Sequence, residues 1–143
     1  MVPDERLIAV GISHHTASLE VRERLAVPFE AIPGLLNGLR SDGFSDEAIL
    51  LSTCNRTELY AVTDAPGDGS LRRWLCEQRG LNDDDMAPYF YIHRDRETVR
   101  HSLRVAAGLD SMILGEPQIL GQMKNAYRSA RAARGAGPHM PVL

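Results

Sequence analysis

The stretch Ser52-Thr53-Cys54-Asn55-Arg56 holds the residues whose types and spacing best suit chemistry. A thiol attacks as the thiolate, and a cation two residues away favours that form. Arg56 also offers a planar fork that matches a carboxylate, so one turn can hold an attacking atom and a substrate anchor. The competing reading makes Cys54 a packed strand-end cysteine and Arg56 a surface charge, since free cysteine is among the most buried residue types. The other cysteine, Cys76, falls in a helical pattern with Leu71, Trp74 and Leu75 and has nothing beside it to activate it, so it reads as packing. His14 and His15 are adjacent on an extended run and point to opposite sides, so at most one faces a site. No cysteine or carboxylate lies at the usual chelating offsets from them, and no metal site is expected.

The flanking sequence says how such a turn is presented. Ala48-Ile49-Leu50-Leu51 reads as a buried strand that stops at the polar residues, and Leu59-Tyr60-Ala61-Val62 reads as the strand that leaves them. The thiol then sits at the rim of a sheet. Residues 7–13 form an earlier apolar strand, and Tyr89-Phe90-Tyr91-Ile92 is a β-prone run expected to be the last. Helices are expected over about 20–26, capped by Thr16 or Ser18 and closed by Pro28, and over about 29–39, where Ile32, Leu35, Leu36 and Leu39 share a face. A third runs over about 70–79. A fourth runs over about 94–107, with Val99, Leu103 and Ala106 inward; it includes His101, which on helical position alone is an ordinary packed or exposed residue. Gly108-Leu109-Asp110-Ser111 and Leu114-Gly115-Glu116-Pro117 break the pattern, and Pro117 opens a further helix to about residue 134. Asp83-Asp84-Asp85 lacks the glycine and distal glutamate of a calcium loop and reads as solvated.

A chain of 143 residues with 43% hydrophobic and 24% charged residues fits one globular domain. No apolar run approaches the ~20 residues that span a bilayer, and two cysteines make no disulfide framework. A reducing, cytoplasmic compartment without membrane attachment is the expectation. The net charge is -3, but residues 94–134 carry +4 against -7 elsewhere, which fits either phosphate contact or solvated amphipathic helices.

Three stretches together carry a resemblance: Gly11-Ile12-Ser13-His14-His15-Thr16-Ala17, Ser52-Thr53-Cys54-Asn55-Arg56-Thr57-Glu58-Leu59-Tyr60, and the run from Ala107 through Leu114-Gly115-Glu116-Pro117-Gln118-Ile119-Leu120-Gly121-Gln122-Met123-Lys124. They resemble, in order, the N-terminal catalytic domain of the glutamyl-tRNA reductase family, from about Leu7 to about Arg134. The resemblance implies an α+β, ferredoxin-like fold of two β-α-β units, a four-stranded antiparallel sheet with helices packed on it. Residues 117–134 would begin a long linker helix. It implies Cys54 as nucleophile and His101 as the histidine required for activity, a candidate general base. Thr53, Asn55, Arg56, Ser111, Glu116, Pro117, Gln118 and Gln122 match substrate-contacting positions.

The implied reaction is NADPH-dependent reduction of glutamyl-tRNA to glutamate-1-semialdehyde, the first step of tetrapyrrole biosynthesis, through a cysteine thioester. No Gly-x-Gly-x-x-Gly follows a strand, and Gly135-Ala136-Gly137-Pro138 comes after a helix. The expectation is therefore a fragment that lacks its NADPH-binding and dimerisation domains, carries only the thioester-forming half and is itself monomeric. The full-length protein would be a homodimer that passes product to the aminomutase. The alternatives are a cysteine-dependent esterase or acyltransferase without a redox step, and a non-enzymatic module that binds tRNA or a regulator.

Overall fold

A computed structural model of the chain describes residues 6–64 and 69–107. Four strands, β1 (Arg6–Ser13), β2 (Glu47–Ser52), β3 (Arg56–Thr63) and β4 (Tyr91–Arg94), form one sheet in the order β2-β3-β1-β4. Every neighbouring pair is antiparallel. This is the interleaved order of a ferredoxin-like fold: each β-α-β unit leaves a gap that a strand of the other unit fills. The helices are α1 (Leu19–Leu25), α2 (Ile32–Ser41), α3 (Ser70–Gln78), the single turn α4 (Asp83–Met86) and α5 (Arg96–Ala106). The expected α+β architecture is thus the observed one.

Local chemistry sets most boundaries. The Ser18 hydroxyl accepts from Val21 N and caps α1. Asn82 caps α4 in the same way, so the acidic triplet 83–85 is a first helical turn, where negative charge suits the free N–H groups. A 3-10 turn at Phe29–Ala31 leads into α2, and Pro33 sits early in that helix, where its missing N–H costs nothing. The last strand starts later than the aromatic run implies. Pro88 and Tyr89 belong to a 3-10 turn, and β4 begins at Tyr91.

Register sorts the side chains onto two faces. Ile8, Val10, Ala48, Leu50, Leu59 and Ala61 lie across from one another. They join Leu25, Ile32, Leu36, Leu39, Leu71, Trp74 and Leu75 in one apolar core. Burying each such Leu or Ile contributes about 1.5–3 kcal/mol. The opposite face presents Arg56, Glu58 and Tyr60 from β3 and Tyr91 and His93 from β4. Helix α5 lies against this second face: His101 reaches Glu58, and Val105 packs with Leu51. All eight residues of β3 are buried in consequence.

The face of α5 corrects the periodicity reading. Val99 and Leu103 are exposed, at 47% and 65%, while Thr98 and Val105 are the buried positions. The inward line 98, 101, 105 is mostly polar because it meets a polar sheet face, and of the three residues expected inward only Ala106 packs, against Leu51 and Val105. Among the described residues no helix is long and apolar enough to cross a membrane. The implied linker helix over 117–134 lies outside the described residues.

Candidate active site

The turn at residues 53–55 joins two strands that pair to its base, Ser52 opposite Thr57. Thr53 builds the turn. Its hydroxyl accepts from Asn55 N (3.1 Å) and Arg56 N (3.2 Å), and its own N–H donates to Arg56 O at 2.7 Å. His14 N donates to Asn55 O at 2.8 Å, tying the turn to the end of β1. Arg22 of α1, itself buried, donates from Nε to Cys54 O at 3.0 Å and from Nη1 to Ala17 O at 2.7 Å. Both strands, β1 and a helix thus fix the backbone of Cys54. The thiol itself is exposed, with Sγ 3.8 Å from Asn55 Oδ1.

Cys76 is the contrasting case. It is fully buried in the apolar core, and burial followed by the nearby Asp83 charge pushes its thiol up to about 11. The packing role read from sequence fits this environment.

Behind the turn lies a buried polar cluster centred on Glu58. Its Oε1 accepts from Tyr60 Oη at 2.8 Å. Its Oε2 accepts from Tyr91 Oη at 2.5 Å, meets His101 Nε2, and stands 3.5 Å from Arg56 Nη1. Burial alone would push the carboxyl up. Hydrogen bonding and charge from His101, the Arg56 charge and the Tyr91 hydroxyl outweigh it and hold the carboxyl below its ordinary 4.5. Burial, then the Glu58 charge, pushes the Tyr60 phenol well above 10, and Tyr91 rises for the same reasons. Both phenols therefore stay protonated and act as donors.

Gly11 makes room for this cluster. It pairs with Glu58 across the β1–β3 ladder, and a Cβ added there would stand 2.3 Å from Thr57 O and 3.0 Å from Glu58 Cγ. Only glycine lets the two strands approach so closely.

Of the residues singled out from sequence, Thr53, Cys54 and Asn55 come together at the turn. Arg56 does not stand open beside the thiol. It is 0% exposed, and its guanidinium faces Glu58 because strand alternation turns positions 56, 58 and 60 to the same side. His101 is held by Glu58, and among the described residues no hydrogen bond joins it to Cys54. Ser111, Glu116, Pro117, Gln118 and Gln122 lie outside the described residues. Sequence reasoning passed over Glu58, Tyr60 and Arg22. The first two carried a signal, since Arg-x-Glu-x-Tyr on a strand puts three polar heads on one face. Arg22 carried none, because a helical arginine reads as surface charge. Among the described residues no group of three or more His, Cys, Asp or Glu is placed to hold a metal ion.

The class these features define is a ferredoxin-like domain with an exposed cysteine at a braced hairpin rim and a buried polar cluster around one carboxylate behind it. Comparison with known proteins narrows the class. The family described as glutamyl-tRNAGlu reductase, N-terminal domain, matches residues 10–143. The glutamyl-tRNA reductase of Methylococcus capsulatus is 49% identical over 137 residues, 96% of this chain and 33% of that protein. That of Neisseria gonorrhoeae is 46% identical over 138 residues, 96% of this chain and 32% of that protein. The solved glutamyl-tRNA reductase from Methanopyrus kandleri superposes with a TM-score of 0.73 at 32% identity, covering 94% of this chain and 30% of the other. The chain belongs to the glutamyl-tRNA reductase family, matches its N-terminal domain, and spans about a third of the length of these relatives.

Proposed function

We propose that Cys54 takes the glutamyl group from glutamyl-tRNA as a thioester. The Sγ thiolate attacks the ester carbonyl carbon, the bond from that carbon to the ribose oxygen breaks, and the tRNA leaves with a proton on its hydroxyl. The observation that carries this reading is the contrast between the two thiols. Cys76 is sealed in hydrocarbon, whereas Cys54 is exposed on a turn whose backbone is fixed from three sides. A fixed backbone aims the sulfur without cost at the moment of reaction, and an exposed turn admits a substrate as large as an acylated RNA.

Within this reading Thr53 and Asn55 flank the attacked carbonyl. Arg56 faces Glu58 on the sheet side and braces the turn from behind. His101, held by Glu58, is the proton carrier on the α5 side. Ser111, Glu116, Pro117, Gln118 and Gln122 complete the pocket, with Glu116 set against the substrate ammonium; these five rest on the family resemblance.

NADPH supplies hydride to reduce the thioester to glutamate-1-semialdehyde, the entry to tetrapyrroles. No step of this chain is routed through it. The same reading makes the longer protein a cytoplasmic homodimer that passes product to the aminomutase. It makes the chain itself one catalytic domain.

The test is intact-protein mass after incubation with charged glutamyl-tRNA. A glutamyl adduct labile to hydroxylamine is expected on the wild type and absent from Cys54→Ser. An adduct that survives Cys54→Ser refutes the nucleophile. Equal acceptance of simple glutamate esters without RNA would favour an esterase.

A further inference from the structure

Arg22 lies against the nucleophile turn and has no part in the chemistry above. It is charged yet buried, at 9% exposure, and among the described residues no carboxylate stands within ion-pair distance of it. Burying a cation without a counter-charge costs stability, and a hydrocarbon side chain of similar size would fill the same space without that cost. What the guanidinium adds is its donors. Nε meets Cys54 O at 3.0 Å, across 32 residues of chain, and Nη1 meets Ala17 O at 2.7 Å. Ala17 closes the loop that leaves β1, a loop wound on Ser13 by the N–H groups of Thr16 and Ala17, and the same loop donates His14 N–H to Asn55 O. Arg22 is therefore a second tie between loop and turn. Its own base is steady: Arg22 N donates to Ser18 O within α1, and Leu25, three residues on, is fully buried in the apolar core.

At the turn, the peptide between Cys54 and Asn55 is pinned at both ends. Arg22 holds its oxygen, and the Thr53 hydroxyl accepts from its N–H at 3.1 Å. A peptide unit is planar, so a plane held at its oxygen and its N–H cannot turn, and the Cα–Cβ bond of Cys54 keeps one direction. Lysine carries its charge as a point on a flexible stem and offers no planar fork to set that plane. With the acyl transfer proposed above as the reaction, we infer that Arg22 is a positioning residue for it. The guanidinium acts on the substrate only through Cys54, by keeping the sulfur on its line of approach to the ester carbonyl. A displacement of ~1 Å at a reacting atom costs on the order of a hundredfold in rate.

The experiment follows single-turnover transfer of labelled glutamate from glutamyl-tRNA to Cys54 in the wild-type chain, Arg22→Lys and Arg22→Ala, each checked for a cooperative melt. Folded Arg22→Lys should transfer about a hundredfold more slowly at saturating RNA, with the RNA concentration for half-maximal rate within about twofold of wild type. Alkylation of Cys54 by iodoacetamide, a small reagent that meets the sulfur from any side, should keep the wild-type rate and pH profile in both variants. Ethylguanidinium added to Arg22→Ala should restore part of the transfer rate and ethylammonium should not, because only the planar fork spans both carbonyls. A role in stability alone would lower the melting temperature and leave transfer by the folded variants at the wild-type rate, which overturns the positioning role. So does a parallel fall in alkylation with a displaced pH profile, since the guanidinium would then act on ionisation of the thiol and not on its aim. A wild type that forms no glutamyl adduct refutes the proposed acyl transfer and takes this role with it. Equal transfer by the wild type and folded Arg22→Lys spares the reaction and removes Arg22 from it.

Discussion

Replacing Glu58 by glutamine tests how the buried cluster is held together. The substitution keeps the shape and one carbonyl oxygen but removes the charge that Arg56, at 0% exposure, faces at 3.5 Å. It also puts an amide N–H₂ where one carboxylate oxygen now accepts, so the hydroxyl or ring nitrogen bonded there must turn from donor to acceptor. Breaking a buried pair by removing one partner costs about 3–5 kcal/mol, against a total stability of about 5–15 kcal/mol for a domain. Guanidinium unfolding followed by Trp74, the single tryptophan, buried and hydrogen-bonded to Asp42, should show that loss as a lower midpoint with little change in slope. The double variant Glu58→Leu/Arg56→Met, which removes both charges, should recover much of the difference.

Acid should erase the effect. The folded carboxyl lies below its ordinary 4.5, so its contribution is complete above about pH 4.5 and is lost as pH falls through the lower folded value. The gap between wild type and Glu58→Gln should therefore be full at pH 7 and narrow on acidification below pH 4.5. A Glu58→Gln protein within about 1 kcal/mol of wild type at pH 7 would refute the claim that a compensated charge organises this face.

Gly11→Ala should cost about 3 kcal/mol, the upper part of the overpacking range, because its Cβ would meet Thr57 O at 2.3 Å in the central pair of strands; thermal melting checks it. Arg22→Ala should cost about 2 kcal/mol by freeing the Cys54 and Ala17 carbonyls, with faster amide exchange appearing first at residues 53–55. Iodoacetamide at pH 7 should modify Cys54 and leave Cys76 intact until the protein unfolds, since Cys76 is buried and titrates near 11; peptide mapping reads the two sites.

How much of this could be read from sequence depended on whether hydrophobic pattern or polar pairing governs the residue. The hairpin was legible because an apolar run on each side frames five polar residues, and the place of Cys54 at its tip follows from that frame alone. The strand order came from family resemblance, since pairing partners far apart in the chain leave no local mark. The direction of Arg56 was missed because its partner Glu58 sits two residues on, on the same face of the strand, where apolar spacing leaves no mark. The inward face of α5 was misjudged for a related reason: Thr98 and His101 are turned toward the sheet by hydrogen bonds to Leu7 O and Glu58, which a count of apolar spacings does not register. Both errors fall on the polar side of the sheet, where the candidate chemistry lies.

The placement of β1 has a consequence for biosynthesis. Of the four described strands the one made first occupies the middle of the sheet, and one of its edges stays open until residues 91–94 have been made. Until then the nascent chain exposes a strand edge that invites wrong partners. The turn that carries Cys54 is anchored to this same strand through His14, so its shape depends on that strand finding its proper neighbours.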